Sequence, residues 1–229
     1  MVYNRFMGPK GLILVMLLAP ALGHAACGDP PREAVDWNGC DKQRLMLGKK
    51  DLRNARMTGA DLGGTDLANA NLSGADLSHA SLERVRLAGA DLTGAKLVET
   101  SAYRTNMGGA KLGGANLTKA ELIRTNLKGA DLTNANLEKA ELPRSVLEEA
   151  TLKGANLSGT DLARTIFVKA NMAGAKLGNA RMFRTRIEGV DLSAATGLTQ
   201  AQLDASCGDA RTRLPAGLKP GSAWPCAQE

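Results

Sequence analysis

The sequence predicts an all-β solenoid whose chain turns after every five residues, and three observations carry the prediction. From Leu47, every fifth position to 192 is filled by one residue class, thirty positions in phase without insertion, 23 of them leucine. Two residues before each stands a small partner: alanine, serine, threonine or valine in 28 of the thirty. Aromatic residues make up only 3% of the 229-residue chain, so its core must be thin and aliphatic rather than filled by rings.

A period of five excludes the two common elements. On an α-helix, steps of five carry leucine around every face. On a flat strand, odd steps alternate between faces. The leucines can all point inward only if the chain turns after each unit. Asp, Asn and Gly, frequent between the two inward positions as in Ala60-Asp61-Leu62 and Ala115-Asn116-Leu117, tolerate such turns. The leucine position is taken instead by Met57, Ala102, Met107, Phe167, Met172, Met182 and Ile187, and the small position by Leu45 and Lys50. Ala102 should leave a gap of several methylenes unless Tyr103 or a neighbouring leucine fills it.

This pattern resembles the pentapeptide-repeat family, A(D/N)LXX, over 45–194. The resemblance implies a right-handed quadrilateral parallel β-helix with four units, or 20 residues, per coil. At a coil spacing of about 4.8 Å the solenoid would be roughly 35 Å long. It also raises one function of the family, imitation of DNA by an acidic surface that engages DNA gyrase. The repeat region departs from that reading, with 21 Lys and Arg against 16 Asp and Glu.

The ends need covers, because an open coil exposes unpaired backbone. The expected organisation is a signal peptide at 1–26, an N-terminal cap at 27–44, the β-helix at 45–194 and a C-terminal cap at 195–229. Within the last, TQAQLDAS (199–206) reads as a short capping helix, with Thr199 and Gln202 forming a capping box. Leu198 and Leu203 are placed to plug the last coil, and Trp37 and Trp224 are read as packing residues of the two caps.

Arg5 and Lys10, the apolar run GLILVMLLA and the small residues of ALGHAA have the form of a secretory signal cleaved near Ala25 or Ala26. The run is short for a membrane span. Removing Arg5 and Lys10 lowers the formal charge from +6 to +4. The expected location is periplasmic or secreted. A lipid anchor on Cys27 is the alternative, weakened by His24 where bacterial lipoproteins carry leucine. All four cysteines flank the repeats, and an oxidising compartment allows bridges. The expected pairs are Cys27–Cys40 and Cys207–Cys226, one of three formally possible pairings.

No catalytic constellation is evident. His79, the one histidine outside the signal, sits at an outward repeat position without oriented partners for acid–base work. No cofactor, metal or small-molecule substrate is expected. The informative surface feature appears when the chain is folded at 20. Arg84, Arg104, Arg124, Arg144, Arg164 and Arg184 occupy one place in six consecutive coils. The preceding column, Glu83, Tyr103, Ile123, Pro143, Ala163 and Phe183, is outward by the repeat rule yet largely apolar. Val146 and Ile166 lie close by. The following column is small and often hydroxylated.

Arginines stacked about 5 Å apart repel by roughly 0.8 kcal/mol per pair in water. Glu121, Glu141 and Asp161, three residues before Arg124, Arg144 and Arg164, offer internal neutralisation; an external anion or acidic partner offers another. Tandem duplication alone would also propagate the arginine. The reading is therefore a non-catalytic, exported binding or scaffold protein whose candidate partner edge comprises the six arginines with Tyr103, Ile123 and Phe183. Its expected partner is a protein or an anionic envelope component; nucleic acid is disfavoured, and the oligomeric state stays open.

Overall fold

The computed structural model describes residues 27–222 and 224–226. The signal segment expected over 1–26 lies outside the described residues. Each five-residue unit follows one local course: a bridging residue, an inward large residue, a two-residue turn and an inward small residue. The bridging residues pair in parallel with those 20 positions away, as in Asp61 with Ser81, Ser81 with Ser101, and Ser101 with Glu121. Four units therefore close one coil, and coils stack along the axis. Because the turn takes two of every five residues, the walls are ladders of single bridges rather than extended strands.

The backbone of each unit is satisfied by its neighbours above and below. Leu82 N–H donates to the Ser101 carbonyl at 2.7 Å, Ser101 N–H to the Ala80 carbonyl at 3.0 Å, and Arg84 N–H to the Tyr103 carbonyl at 3.0 Å. Within the unit, Ala80 N–H closes the turn on the Leu77 carbonyl at 3.0 Å. The second turn residue lies in the left-handed region, φ +65° at Gly94 and +55° at Arg104.

Both inward columns are buried from 52 to 192, including Ala102, Phe167 and Met172, while the two exceptions at the small position, Leu45 and Lys50, are exposed. Where the small position carries a hydroxyl, it is used. Thr125, Thr165 and Thr185 each donate Oγ1 at 2.7 Å to a carbonyl 23 residues earlier, those of Ala102, Leu142 and Leu162. Thr105 does the same to Leu82. The hydroxyl column beside the arginines is thus an internal stitch between coils and is not exposed.

The coil geometry reaches beyond the 45–194 limits read from sequence. Asp36 bridges Arg56 and Asp41 bridges Asp61, while Val35, Trp37 and Cys40 fill inward positions. At the other end Arg186 bridges Cys207 and Asp191 bridges Arg213. Segments placed in caps therefore extend the pairing. Their side chains break the leucine rule, but the coil edge still needs hydrogen-bonding partners.

The C-terminal segment holds helix α1 (Gln200–Asp204), whose N-cap Thr199 and Gln202 form a capping box. Gln202 Nε2 also donates to the carbonyls of Leu177 and Ala180, both at 2.8 Å. These bonds dock α1 on the last coil, and Leu203 is buried there with Leu198 packed beside it. Disulfides join Cys27 to Cys40 and Cys207 to Cys226, with Cα–Cα distances of 5.5 and 5.0 Å. The two pairs are compatible with an oxidising, extracytoplasmic location. Among the described residues no helix is long and apolar enough to cross a membrane.

Candidate functional site

The six ladder arginines all occupy the second turn position, with φ between +52° and +60°. An L-residue costs roughly 1 kcal/mol there, and glycine or asparagine is the residue that avoids the cost. The other three corner columns use them repeatedly: Gly89, Gly109 and Gly129 on one; Gly74, Gly94, Gly114 and Asn134 on the next; Gly159 and Asn179 on the third. Only the ladder column carries neither between 84 and 184. Each arginine holds its place through a backbone bond to the next coil, as in Arg124 N–H to the Pro143 carbonyl at 3.1 Å and Arg164 N–H to the Phe183 carbonyl at 2.8 Å.

All six side chains are exposed, and none forms an ion pair with a described carboxylate. The internal neutralisation that was one of the two options read from sequence does not occur among the described residues. Asp161 pairs with Arg181, one coil along its own bridging column, not with Arg164. The same rule pairs Arg56 with Asp36 at 3.4 Å and Arg86 with Asp66 at 3.3 Å. Residues 20 apart stack directly, whereas residues three apart in one unit straddle the turn. The corner column of His79, Glu99 and Lys119 shows the contrast. There Glu99 sits between two basic side chains, 3.0 Å from Lys119 Nζ and 3.5 Å from His79 Nδ1. The hydrogen bond from Lys119, with the charges of Lys119 and His79, holds the Glu99 carboxyl below its usual range.

The apolar column lies alongside. Tyr103, Ile123, Pro143 and Ala163 are half-buried, and Phe183 is 51% exposed. Two rungs rest on it: the Arg104 guanidinium carbon lies 5.1 Å from the Tyr103 ring centre and that of Arg184 lies 5.5 Å from the Phe183 ring centre. Such contacts hold the cation near the ring by electrostatic attraction. Val146 and Ile166 bridge each other next to this column.

The ladder column resumes before Arg84 at a residue that sequence reasoning missed. Arg44 stands two coils before Arg84, with Gly64 between them, and Gly63 occupies the neighbouring apolar-column position. The missing side chains open a cleft of about 510 Å³ between Arg44 and Arg84, with Gln43, Asp61 and Glu83 on its walls. The signal was available in the 20-residue step but was hidden by the glycine that breaks it.

The pentapeptide-repeat model matches eight copies over residues 47–74, 70–109, 110–148 and 145–182. The chain belongs to the pentapeptide-repeat family. Among solved pentapeptide-repeat structures it is similar to HetL, involved in heterocyst differentiation regulation in the cyanobacterium Nostoc sp. strain PCC 7120. The identity is 26% and the TM-score 0.59, over 77% of this chain and 85% of HetL. It is also similar to a trypsin-treated form of QnrB1, a plasmid-mediated fluoroquinolone resistance protein. There the identity is 20% and the TM-score 0.53, over 80% of this chain and 89% of the other. The second likeness is one of fold. No curated protein matches the chain. Pentapeptide-repeat proteins are generally structural or binding proteins, and the ladder face is the candidate site by which this member would bind.

Proposed function

We propose that this pentapeptide-repeat protein is an exported, non-catalytic binding or scaffold protein, a right-handed solenoid that presents its arginine ladder to an anionic partner. The observation that carries the reading is the ladder's uncompensated charge: six exposed arginines in register, without a described carboxylate partner, on backbone positions that favour glycine. Repulsion along the column and left-handed strain both oppose this arrangement. An anionic partner would offset the first.

Export is supported by the two disulfides and by the form of the N-terminal segment. The Cys27–Cys40 bridge occupies the thiol that a lipid anchor would require, which favours a freely exported protein over an anchored one. The DNA-mimic reading receives no support from the surface, since the ladder presents the charge opposite to that of DNA.

The test compares the protein with a variant carrying Arg104→Gln, Arg124→Gln, Arg144→Gln and Arg164→Gln. Both are checked for folding by circular dichroism and run on immobilised polyanions and envelope extracts over a salt gradient. The wild type should be retained to higher salt. Equal elution would mean that the ladder is inherited repeat decoration.

A further inference from the structure

The N-terminal end of the solenoid is covered unevenly. Val35, Trp37, Cys40 and Lys42 are buried, beside the segment that the Cys27–Cys40 bridge holds across the coil end. The next side of the square, 44–50, has no such cover. Leu45 and Lys50 take the small inward position of their units, yet both are exposed. Met46 is 76% exposed and Leu45 36%; with Phe183 they are the large apolar side chains left open among the described residues. The Met46 N–H has no acceptor among the described residues, whereas its counterparts Asp66 and Arg86 donate to the Leu45 and Thr65 carbonyls at 2.9 and 3.0 Å.

The open charges of this side are of one sign. Arg44, Lys49 and Lys50 are exposed and form no ion pair with a described carboxylate. The acids of the same end are engaged elsewhere. Asp29 pairs with Arg32, Glu33 and Asp51 pair with Arg53, and Asp36 pairs with Arg56, while Asp41 accepts from the Gln43 N–H at 3.1 Å. An exposed apolar pair therefore stands between uncompensated cations on one rim.

That combination separates the candidate occupants. A second copy stacked on the rim would bring like charges together, and one side of one coil falls far short of the roughly 800 Å² per partner of a stable interface. An added peptide strand needs a straight edge, but this edge turns after every five residues. A simple anion or a nucleic acid would use the cations and leave Leu45 and Met46 in water. An anionic lipid surface meets every feature: its phosphates face the cations and the free N–H, its acyl boundary takes the apolar pair, and it imposes no fixed shape. The chain also enters at this end. The apolar run 11–19 stops eight residues before Cys27, a reach of at most about 28 Å. A leader lying in a bilayer would hold this rim, and not the far end, next to the headgroups.

We propose that the 44–50 rim docks end-on on an anionic lipid surface. Leu45 and Met46 enter the headgroup boundary, Arg44, Lys49 and Lys50 pair with phosphates, and the solenoid with its ladder projects away. The contact is reversible, since two side chains bury little area. It is separate from the ladder reading except for Arg44, and its choice of lipid rests on the leader reading.

The test produces the full chain in a bacterial host. The mass of the form that accumulates shows whether residues 1–26 are removed, which checks the leader reading independently of the rim. Added tryptophans then report depth in that form. Met46→Trp should gain a blue-shifted emission on phosphatidylglycerol vesicles, quenched by brominated acyl chains, and much less on phosphatidylcholine. Phe183→Trp, at the far end, should show no shift. In vesicle flotation, Leu45→Ser with Met46→Ser should lower partition about tenfold at any salt. Lys49→Gln with Lys50→Gln should lower it about tenfold at low salt alone, where charge is unscreened. The four-arginine Gln variant, whose changes lie more than a Debye length from the rim, should float like wild type.

If Phe183→Trp shifts together with Met46→Trp, or if the four-arginine variant loses the vesicles while the rim variants keep them, the ladder face is what meets lipid. The rim inference then falls and the anionic-partner reading stands. If neither tryptophan shifts, no lipid surface engages the rim and the inference is overturned.

Discussion

The ammonium of Lys42 lies 4.2 Å from the centre of the Trp37 ring. Lys42 stands one five-residue step before Leu47, where the repeat would put leucine. Its Nζ donates to the Cys27 carbonyl, which the Cys27–Cys40 bridge holds over the coil end. Trp37 Nε1 in turn donates to the Asp29 carbonyl at 3.2 Å. The end of the hydrophobic stack is thus closed by a ring, an ammonium over it and a disulfide-held strap. Trp37→Ala, in a side chain 1% exposed, should lower stability by about 3 kcal/mol. Lys42→Met should cost under about 1 kcal/mol, since a thioether packs well on an aromatic ring. Urea unfolding of both variants checks the difference.

The hydroxyl stitch should matter independently of the core. Thr125→Val keeps the shape of the side chain but removes the bond to the Ala102 carbonyl. A loss of about 1 kcal/mol is expected. A shift in denaturation midpoint with unchanged slope would confirm it; no shift would mean that the turn bond from Thr105 N–H to the same carbonyl suffices.

Stacking should dominate at mid-solenoid. Leu122 is fully buried between Ala102 and Leu142 in its column, and Leu122→Ala should cost about 3 kcal/mol. Ala102→Leu restores the repeat where a gap was expected and should stabilise by about 1 kcal/mol. Thermal unfolding of the two gives opposite signs, and a destabilising Ala102→Leu would show that the neighbouring side chains already fill the space.

The ladder should trade stability for binding. Arg124→Asn and Arg144→Asn relieve left-handed strain and like-charge repulsion, and each should stabilise by about 0.5–1 kcal/mol. The same changes should shorten retention on polyanions. If the variants are less stable than the wild type, the arginines are held by contacts within the fold and the argument for an external partner weakens.

Acid should weaken the C-terminal segment through Asp209. Burial raises the Asp209 pKa, but the Arg211 side chain, the N–H groups of Gly189 and Arg211, and the Thr212 hydroxyl outweigh it and hold the carboxyl at about 2. A depressed carboxylate stabilises the fold above its unfolded value of about 3.9 and loses that contribution as pH falls through its folded value. Wild type should therefore exceed Asp209→Asn in stability near neutrality, and the two curves should converge as pH approaches about 2. Parallel curves would mean that Asp209 does not couple to folding.

Much of this protein is local information repeated. The five-residue period names the inward columns, the flanking cysteines indicate which thiols can meet, and Thr199 with Gln202 marks the start of α1. All are legible because each depends on spacings along the chain. The ladder column was likewise visible once a 20-residue coil was assumed. Other properties depend on residues brought together across coils. Lys42 could be placed at the coil end only when Cys27 and Trp37 were seen around it. Asp161 met Arg181 instead of Arg164 because stacking, not sequence proximity, sets which charges touch. The left-handed backbone under the arginines, and the cleft left by Gly63 and Gly64, follow from the closed coil. Sequence determined the repeat and the positions of its charges; the tertiary structure decided which charges were compensated, since a solenoid's side-chain neighbours lie one coil away rather than next along the chain.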